Sequence, residues 1–219
     1  MSQKSGTRFF RHYKNKPYKY LGTARHSETL EELALYESLY ENALGRIWVR
    51  PKEMFFENVE IEGVVKPRFE KIDFKFQTSE TITESDIENM RVVYSHCFAE
   101  ELNYEKFRAK LAAHSKFLFL QAFDGRRLVG FKFGYAEDGQ QFYSWLGGVL
   151  PEFQKLGLAT ELMKQQHEWC RTKGFKRILA RTRNDFISML RLNFNFGFKI
   201  IGTQKSAADE IKIILEKNI

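Results

Sequence analysis

The chain has 219 residues, of which 43% are hydrophobic and 29% are charged, and it carries a formal net charge of +7. This composition is typical of a folded globular protein and excludes a disordered or fibrous chain. No apolar run reaches the ~18 residues that a membrane span requires, and no secretory signal is evident, so we expect a cytoplasmic protein without a membrane partner.

Positive charge is concentrated at the start of the chain. The first 20 residues contain no acid, and their cations are Lys4, Arg8, Arg11, Lys14, Lys16 and Lys19. Short basic arms are usually solvated, and this arm lacks the aromatic platforms of a dedicated nucleic-acid reader. We therefore expect an unstructured arm, and nucleic-acid binding is the less favoured interpretation.

A change of pattern near residues 70–80 divides the chain into two predicted domains, 1–72 and 73–219. The first has short segments punctuated by Trp and Pro, which predict a small, mostly-β domain. Within it residues 30–40 are ambiguous, since Thr29 and Glu32 would cap a helix, whereas the apolar run at 33–36 would equally form a strand.

Two motifs of the first domain are His26-Ser27-Glu28-Thr29 and Trp48-Val49-Arg50-Pro51-Lys52-Glu53-Met54-Phe55. Over residues 7–72 they resemble a small bacterial domain family of unknown function, and this resemblance favours a strand at residues 30–40. The side chains of His26, Glu28 and Arg50 could converge on a polar ligand, or they could serve local turns and ion pairs.

The second domain follows a short polar stretch at residues 77–80. Thr83 is a hydroxyl N-cap followed by acids, and a helix that opens at Gly157 ends at Lys173-Gly174. The other predicted elements are helices at 104–114 and 186–196, a hairpin of strands 117–122 and 128–135, and strands at 141–150, 176–182, 199–203 and 209–215. This order predicts an α/β (α+β) domain with a mixed sheet flanked by helices.

The two cysteines, Cys97 and Cys170, lie in apolar, helix-like stretches without paired spacing or neighbouring histidine clusters. Free cysteines are among the residues most often buried. We expect core thiols rather than a disulfide, a nucleophile or a metal site.

The most informative segment covers residues 149–160, between a predicted strand and an amphipathic helix. Backbone N–H groups at a helix N-terminus are unpaired, and the helix dipole adds about half a positive charge, so this position stabilises a pyrophosphate. Gly157 and Ala159 lack bulky side chains, which lets an anion approach the main chain. The segment therefore predicts a phosphate-binding turn.

The run Gln154-Lys155-Leu156-Gly157-Leu158-Ala159, with Val149 and Pro151 ahead of it, resembles the signature of the GNAT family of N-acetyltransferases. The resemblance covers residues 74–219 and includes the segments 182–184 and 196–198. It implies a mixed, mostly antiparallel sheet flanked by helices, and acetyl-CoA as the co-substrate. The residues that it implies for cofactor binding are Gly148, Val149, Leu150, Gln154, Lys155, Leu156, Gly157, Leu158, Ala159, Thr160, Asn184 and Asn193.

In this family the strands corresponding to residues 141–150 and 176–182 splay apart, and the pantetheine arm adds to the first of them like an extra strand. Gly147-Gly148 would suit this arrangement, because paired glycines favour a bulge and close backbone approach, although a purely structural bulge is the alternative. Backbone N–H groups near Gly148 and Val149 would polarise the thioester oxygen.

The resemblance leaves the proton-transfer groups open. Many family members carry a tyrosine as general acid in the last helix, where this sequence has Asn193, whose amide could instead donate a hydrogen bond to the sulfur. Tyr143, Glu152, Glu100 and Glu101 lie in or beside segments that line the acceptor side in the family and are candidate bases, or an ordered water could replace them.

Two further histidines, His114 and His167, are expected to be ordinary surface or helix-end residues. The predicted reaction is transfer of an acetyl group from acetyl-CoA to the amine of a small molecule or peptide, by direct attack in a ternary complex. A sensor that binds acyl-CoA without turnover is the alternative, and a nucleic-acid-binding protein is less favoured. The sequence fixes neither the acceptor nor the oligomeric state, and it allows a homodimer.

Overall fold

The computed structural model describes residues 8–98, 101–205 and 210–219. Within this part of the chain, the structure divides between Phe74 and Lys75 into two compact units. Lys4 of the basic arm lies outside the described residues.

The first unit is built on a five-stranded antiparallel sheet with strand order β4-β3-β2-β1-β7. Its elements are β1 (Arg8–His12), β2 (Lys16–Arg25), β3 (Glu32–Ser38), β4 (Ile47–Pro51), α1 (Lys52–Phe56), β5 (Asn58–Ile61), β6 (Val64–Pro67) and β7 (Phe69–Ile72). Strands β5 and β6 form a separate hairpin. The unit is mostly β, as the sequence predicted.

Aromatic side chains fill the core of the first unit. Phe55 of α1 is fully buried and stacks on Phe69 of β7, with ring centroids 4.1 Å apart. The other buried members of this cluster are Phe10, Tyr20, Ala34 and Tyr36. One face of β3 is buried at every second residue, namely at Ala34, Tyr36 and Ser38, which is strand periodicity. The strand at residues 30–40 is therefore confirmed.

The prediction of an unstructured basic arm is wrong from Arg8 onward. Residues 8–12 and 16–20 pair with each other as the β1–β2 hairpin, and Phe10 and Tyr20 on this hairpin are buried in the aromatic core. Burial of these rings outweighs the repulsion among the neighbouring cations, since each buried aromatic side chain contributes about 1.5–3 kcal/mol.

The second unit contains a seven-stranded sheet with strand order β13-β14-β12-β11-β10-β9-β8. Its elements are β8 (Lys75–Ser79), α2 (Glu84–Cys97), α3 (Tyr104–Ala113), β9 (Phe117–Asp124), β10 (Arg127–Ala136), β11 (Gln141–Val149), α4 (Leu158–Thr172), β12 (Arg177–Arg183), α5 (Ile187–Asn195), β13 (Lys199–Lys205) and β14 (Ile211–Asn218). Neighbouring strands are antiparallel except β11 and β12, which are parallel. The mixed, mostly antiparallel sheet with helices is confirmed.

Helices α2 and α4 pack against opposite faces of this sheet. A Cβ built on Gly148 would meet Cys97 of α2, whereas a Cβ built on Gly130 would meet Leu162 of α4. Gly148 pairs with Phe131, the neighbour of Gly130, and successive strand residues point to opposite faces. The central strands β10 and β11 are therefore covered on both sides, which explains their long apolar runs.

The ends of the helices follow the sequence signals. Thr83 Oγ1 accepts a hydrogen bond from the Asp86 N–H at 3.2 Å, and the Thr83 N–H donates to the Asp86 carboxylate at 2.9 Å, which is a capping box. Gly174 follows α4 with φ 84°, in the left-handed region that favours glycine. Both predicted signals are confirmed.

Two strands differ from the prediction. The polar stretch expected to join the domains forms the edge strand β8, which pairs with β9. This pairing uses backbone groups and does not require alternating apolar side chains, so the sequence pattern did not predict the strand. The last strand extends to Asn218, because residues 216–218 pair with β12. The sequence placed its end at residue 215, where the apolar run stops.

Candidate active site

A fork between two neighbouring strands opens the sheet of the second unit. Strands β11 and β12 pair only over residues 141–144 and 177–180. Beyond these residues β11 stays paired with β10 as far as Val149, whereas β12 stays paired with β14 as far as Arg183. One backbone edge of β11 therefore faces a cavity of about 870 Å³.

The β-bulge in β11 lies at Trp145 and not at the paired glycines. Phe133 of β10 is opposite Leu146, and the next residue, Gly134, is opposite Ser144, so Trp145 is the extra residue. Gly147 and Gly148 continue the regular ladder opposite Lys132 and Phe131. The bulge expected at Gly147-Gly148 is thus corrected.

The absence of a side chain at Gly148 is required by helix packing. A Cβ at this position would lie 2.9 Å from Cys97 Sγ, a distance that real Cβ atoms do not tolerate. The thiol in turn donates to the Val149 carbonyl oxygen at 3.3 Å. Cys97 is half-buried, and Cys170 is buried. Both are free thiols, and burial raises the pKa of Cys97 to about 11, so it stays protonated at neutral pH.

The ladder between β10 and β11 decides which N–H groups face the cavity. The Leu150 N–H donates to the Val129 carbonyl oxygen at 2.9 Å. In an antiparallel pair, successive residues alternate between bonding to the partner strand and facing away from it. By this alternation the Gly148 N–H faces β10, and the N–H groups of Gly147 and Val149 face the open edge. The expected donor pair is corrected to Gly147 and Val149.

The turn before α4 presents more main-chain donors. Gly157 is the N-cap residue with φ 79°, and Lys155 has φ 64°, so both adopt left-handed backbone conformations. No side chain caps the helix, and the Glu161 N–H makes the i to i−4 bond to the Gly157 carbonyl oxygen at 3.0 Å. The N–H groups of Leu158, Ala159 and Thr160 have no partner of this kind within the helix and are available to a ligand.

Most residues predicted for cofactor binding line this one cavity. They come from the end of β11, the turn, the first turn of α4 and helix α5. They are Gly148, Val149, Gln154, Lys155, Gly157, Leu158, Ala159, Thr160 and Asn193. Gln154 Nε2 donates to the Val149 carbonyl oxygen at 3.3 Å, which links the turn to the strand end. Strand edge and helix N-terminus therefore form one continuous wall of the cavity.

Two predicted cofactor residues, Leu150 and Leu156, have buried side chains on either side of the turn. The side chains of Leu150 and Leu156 are 0% and 2% exposed, and neither lines the cavity among the described residues. Apolar burial at both ends of the short turn holds its backbone in place. Their side chains therefore anchor the turn, and cofactor contact through their backbone stays a prediction.

Two further predicted site residues lie away from the cavity wall. Asn184 is exposed, and its neighbours Arg183 and Asp185 line the cavity in its place. Glu152 forms an ion pair with Arg127 at 2.8 Å. Burial acts to raise the pKa of Glu152, but hydrogen bonds from its own backbone N–H and from Arg127 hold that pKa below its usual value. Such a carboxylate is a poor general base, so Glu152 is corrected as a catalytic candidate.

Tyr143 is the predicted catalytic residue that lies at the fork. It lines the cavity and is 7% exposed. Burial raises its pKa, against the influence of the Arg181 guanidinium, which lies 5.1 Å from the centroid of the Tyr143 ring. The hydroxyl keeps its proton at neutral pH and suits a general acid rather than a base.

Asn193 lies on the inner side of α5 and is 3% exposed. Its Nδ2 donates to the Met189 carbonyl oxygen at 2.9 Å, one helical turn earlier. An amide has two N–H donors and one carbonyl acceptor, so the side chain retains one N–H and its oxygen for the cavity that it lines.

Three basic side chains on the cavity wall were not singled out from the sequence. Lys132 of β10 is buried, and burial lowers its pKa to about 8. Arg181 and Arg183 lie on β12 just beyond the fork, and Arg183 Nε is buried without a hydrogen-bond partner among the described residues. For Lys132, the sequence offered one signal, because it is the single charged residue within the apolar run at 128–135.

The remaining candidate acids and histidines are distributed as follows. Glu101 lines the cavity, and Glu100 lies outside the described residues. His114 stacks on Tyr135 with ring centroids 4.0 Å apart. His167 is 2% exposed and accepts a hydrogen bond from Lys217 Nζ at Nδ1, at 3.3 Å. The expectation that His167 is a surface or helix-end residue is wrong, because it lies in the middle of α4 facing the core.

The three candidate ligand residues of the first unit have different surroundings. His26 Nδ1 accepts hydrogen bonds from the backbone N–H groups of Glu28 and Thr29, at 3.2 and 3.1 Å, so it stabilises a local turn. Arg50 Nε donates to the Tyr36 hydroxyl at 3.5 Å. Among the described residues, no hydrogen bond or ion pair joins His26 or Glu28 to Arg50, which favours the local turn and ion-pair roles over a shared ligand.

In the described ranges no helix combines the length and apolar character needed to cross a membrane. Nor does this part of the chain bring three or more His, Cys, Asp or Glu side chains together as a metal site.

Two family models match the chain. The model described as Acetyltransferase (GNAT) family matches residues 80–198, and the model described as Protein of unknown function (DUF1653) matches residues 8–71. Both predicted resemblances are confirmed. A comparison with curated protein sequences found no significant match.

Solved structures of acetyltransferases share the fold of the second unit. The ribosomal-protein-S18-alanine N-acetyltransferase from Escherichia coli aligns with a TM-score of 0.58 and 15% identity, over 66% of this chain and 94% of its own. A GNAT family acetyltransferase from Elizabethkingia anophelis with acetyl-CoA bound aligns with a TM-score of 0.53 and 17% identity, over 68% and 98%. The NatC complex bound to Gag peptide and CoA aligns with a TM-score of 0.58 and 12% identity, over 68% and 99%.

Proposed function

Because the chain belongs to the acetyltransferase (GNAT) family, we propose that it transfers the acetyl group of acetyl-CoA to an amine. The observation that carries this proposal is the continuous wall formed by the open edge of β11 and the uncapped N-terminus of α4. One part of this wall suits a linear arm with amide groups, and the other suits a pyrophosphate.

The residues present fit acetyl-CoA by their backbone chemistry. The N–H groups at the start of α4 point along the helix axis, where the dipole favours an anion. The open edge of β11 offers the N–H groups of Gly147 and Val149, and an extended arm with amides adds to such an edge as a further strand. The amide of Asn193 adds a side-chain donor to the same cavity.

Acetyl transfer requires a polarised thioester carbonyl and a correctly placed amine. The N–H groups of Gly147 and Val149 are fixed by the ladder with β10 and lie about 6.6 Å apart along the extended strand. One of them therefore stabilises charge developing on the carbonyl oxygen without reorganisation, while the other binds the amide arm. The amine nitrogen forms a bond to the carbonyl carbon as the carbon–sulfur bond breaks. Holding both reactants in one cavity replaces a covalent enzyme intermediate.

Two proton transfers accompany this step. The leaving thiolate takes a proton from the Tyr143 hydroxyl, which lies at the fork and which burial keeps protonated. The amine loses a proton to a carboxylate on the cavity wall, either directly or through a water. Glu101 and Asp185 are the carboxylates available there among the described residues, apart from Glu210, which pairs with Arg183.

The acceptor is a small-molecule or peptide amine. Two structural neighbours support this class, since one is by name an N-acetyltransferase of a ribosomal protein and another is bound to a peptide and CoA. The first unit would then assist in substrate choice or assembly.

The test is release of free thiol from acetyl-CoA in the presence of amino acids, peptides, polyamines and aminoglycosides, with acetyl-CoA binding measured by calorimetry in parallel. We expect binding without any acceptor and thiol release with at least one amine class. Binding without thiol release across all classes would favour an acyl-CoA sensor, for which Asn193 at the usual tyrosine position is the supporting observation. Absence of binding would contradict both functions.

A further inference from the structure

The inner face of the sheet in the first unit carries basic and aromatic side chains that the acetyltransferase reaction does not use. Arg50, on the edge strand β4, lies with its guanidinium 5.9 Å from the ring centroid of Phe69 on the opposite edge strand β7. Two edge strands of a five-stranded sheet approach in this way only when the sheet is strongly curled. Side chains that are distant in the sequence therefore converge on Arg50.

His12 supplies a hydrogen-bond donor on this inner face. The Lys14 backbone N–H donates to His12 Nδ1 at 3.3 Å, so the neutral imidazole carries its proton on Nε2. The ring lies 4.8 Å from Phe69 and 6.4 Å from Tyr18, measured between centroids. An N–H donor and a guanidinium thus share the surroundings of the same phenylalanine ring.

Positive charge around His12 exceeds negative charge. Burial, followed by the charges of Arg50, Arg68 and Lys14, lowers the pKa of His12 to about 4, so its ring is neutral at pH 7. Arg68 pairs with Glu57. No carboxylate among the described residues lies within ion-pair distance of Arg50. A partly buried guanidinium normally has such a partner, and its absence leaves room for an anionic ligand.

Aromatic rings form the walls of this cluster. Tyr18 and Tyr36 lie 5.4 Å apart, and each lies 5.5 Å from Phe69, measured between ring centroids. The Tyr18 and Tyr40 hydroxyls are joined by a hydrogen bond, and burial, followed by this bond, raises the pKa of Tyr18. Tyr18 therefore stays neutral and adds a hydroxyl and part of a ring face, without a competing negative charge.

We propose that Arg50, His12 and the flanking tyrosines form a second binding site, which takes the phosphate of a phosphomonoester. The guanidinium provides a planar fork of donors that matches phosphate oxygens, and the His12 Nε2–H and the Tyr36 hydroxyl add single donors. A dianionic phosphate balances the excess of cations better than a carboxylate does. Tyr36 and Phe69 are buried, but Tyr18 is partly exposed, and its ring suits contact with a planar group on the ligand, such as the base of a nucleoside monophosphate.

The proposal is tested by titrating inorganic phosphate and adenosine monophosphate into the full-length chain while the His12 ring is followed by NMR. Phosphate binding should shift the His12 signals and raise the pKa of His12, since a nearby anion favours the charged imidazole. The monophosphate should bind more tightly than inorganic phosphate. Using the Gly157→Glu variant as the background removes binding at the turn before α4, so the result does not depend on the acetyltransferase function.

Arg50→Gln should weaken phosphate binding about 10- to 100-fold, the loss expected for a charge-assisted hydrogen bond. Arg50→Lys keeps the charge but loses the planar fork of donors. Its affinity for phosphate should therefore lie between those of the wild type and Arg50→Gln. Arg46→Gln is the matched control, because Arg46 is 74% exposed and pairs with Glu37, and it should change the affinity by less than about twofold. Melting curves of each variant establish that it is folded.

Three results would overturn the proposal. The first is a His12 signal that neither phosphate nor the monophosphate moves. The second is a shift that Arg50→Gln leaves unchanged in a folded protein. The third is a His12 signal that a single-stranded RNA without terminal phosphate moves when inorganic phosphate and the monophosphate both fail to move it, since this would assign the surface to nucleic acid.

Discussion

The two units of this chain build their candidate sites from different parts of the polypeptide. In the second unit the wall of the cavity is main chain, supplied by the free edge of β11 and the first N–H groups of α4. In the first unit the cluster consists of side chains, with Arg50 and His12 on the inner face of a curled sheet. Both arrangements present donors to an anion, but different features of the sequence specify them.

A main-chain site depends on backbone conformation and on the absence of side chains. In the sequence, such a site is therefore indicated by glycines at particular positions. A side-chain site depends on a few named groups that the tertiary fold brings together. The first kind should be damaged by substitutions that add atoms, and the second by substitutions that remove them. Substitutions in the second unit test whether added atoms damage a main-chain site, and the Arg50 variants test whether removed atoms damage a side-chain site.

The largest effect is expected for Gly157→Glu. A side chain and a negative charge at the N-cap of α4 would block the exposed N–H groups and repel phosphate, so acetyl-CoA affinity should fall at least about 100-fold. Calorimetric titration with acetyl-CoA measures this loss.

Gly174→Glu is the matched control for that substitution. Gly174 has φ 84°, close to the 79° of Gly157, and it lies at the other end of the same helix. Both variants therefore bear similar backbone strain, and only Gly157→Glu should lose the cofactor. Equal loss in the two variants would show that strain, and not blocked donors, is responsible.

Replacement of the buried Lys132 by Met should stabilise the second unit at pH 7. The pKa of Lys132 falls from 10.5 to about 8 on burial, so charging it in the folded state costs about 3 kcal/mol at 1.36 kcal/mol per unit. The unfolded chain binds more protons between pH 8 and 10.5, so the contribution of Lys132 to stability rises with pH over that window.

Urea unfolding at several pH values measures this effect as the difference between wild type and Lys132→Met. The difference should be largest at pH 7 and should shrink towards pH 10.5. Lys176→Met is the control, because Lys176 is exposed, and it should alter stability little at any of these pH values. A constant difference for Lys132→Met across the range would contradict a buried lysine.

Tyr143→Phe should lower kcat about 10- to 100-fold, at the low end of what a positioned proton donor contributes, because a thiol of pKa about 8.5 is a good leaving group. The substitution removes one hydroxyl and keeps the ring that packs at the fork, so the KM for acetyl-CoA should change little. Steady-state thiol release measures both constants. A rise in KM with unchanged kcat would instead assign Tyr143 to binding, and the site would then work by main-chain groups alone.

Gly148→Ala should destabilise the second unit by about 1–3 kcal/mol, the usual cost of overpacking. The added Cβ would lie 2.9 Å from Cys97 Sγ. Combining it with Cys97→Ala removes the sulfur and should recover part of the loss, as a double-mutant cycle in chemical denaturation would show. A stability unchanged by Gly148→Ala would mean that α2 moves freely away from β11.

The strand-to-helix turn before α4 was predictable because its determinants are local. Gly157, the small residue two places later and the amphipathic pattern of α4 specify a strand-to-helix turn within a dozen residues, and the fold class followed from the order of elements. The sequence did not place the bulge at Trp145 or separate the N–H of Gly148 from that of Val149. Both depend on the register of β11 against β10, which is set by packing against α2 and α4.

Side-chain partners were harder to predict for the same reason. Glu152 is inactivated as a base by Arg127, a residue on another element, and Asn184 is turned outward while its neighbours face the cavity. In the first unit, the sequence left open whether His26 lies beside Arg50, but His12 is the histidine that the curled sheet brings to it. No spacing along the chain encodes a contact between two edge strands.

Periodicity, caps and glycine positions act over a few residues, so they specified most of the elements, the strand-to-helix turn before α4 and the family resemblance. The tertiary structure decided which N–H groups are free, which carboxylates are already paired and which cations meet on one face. These properties depend on strand register and sheet curvature, which arise from the burial of apolar side chains across the whole unit.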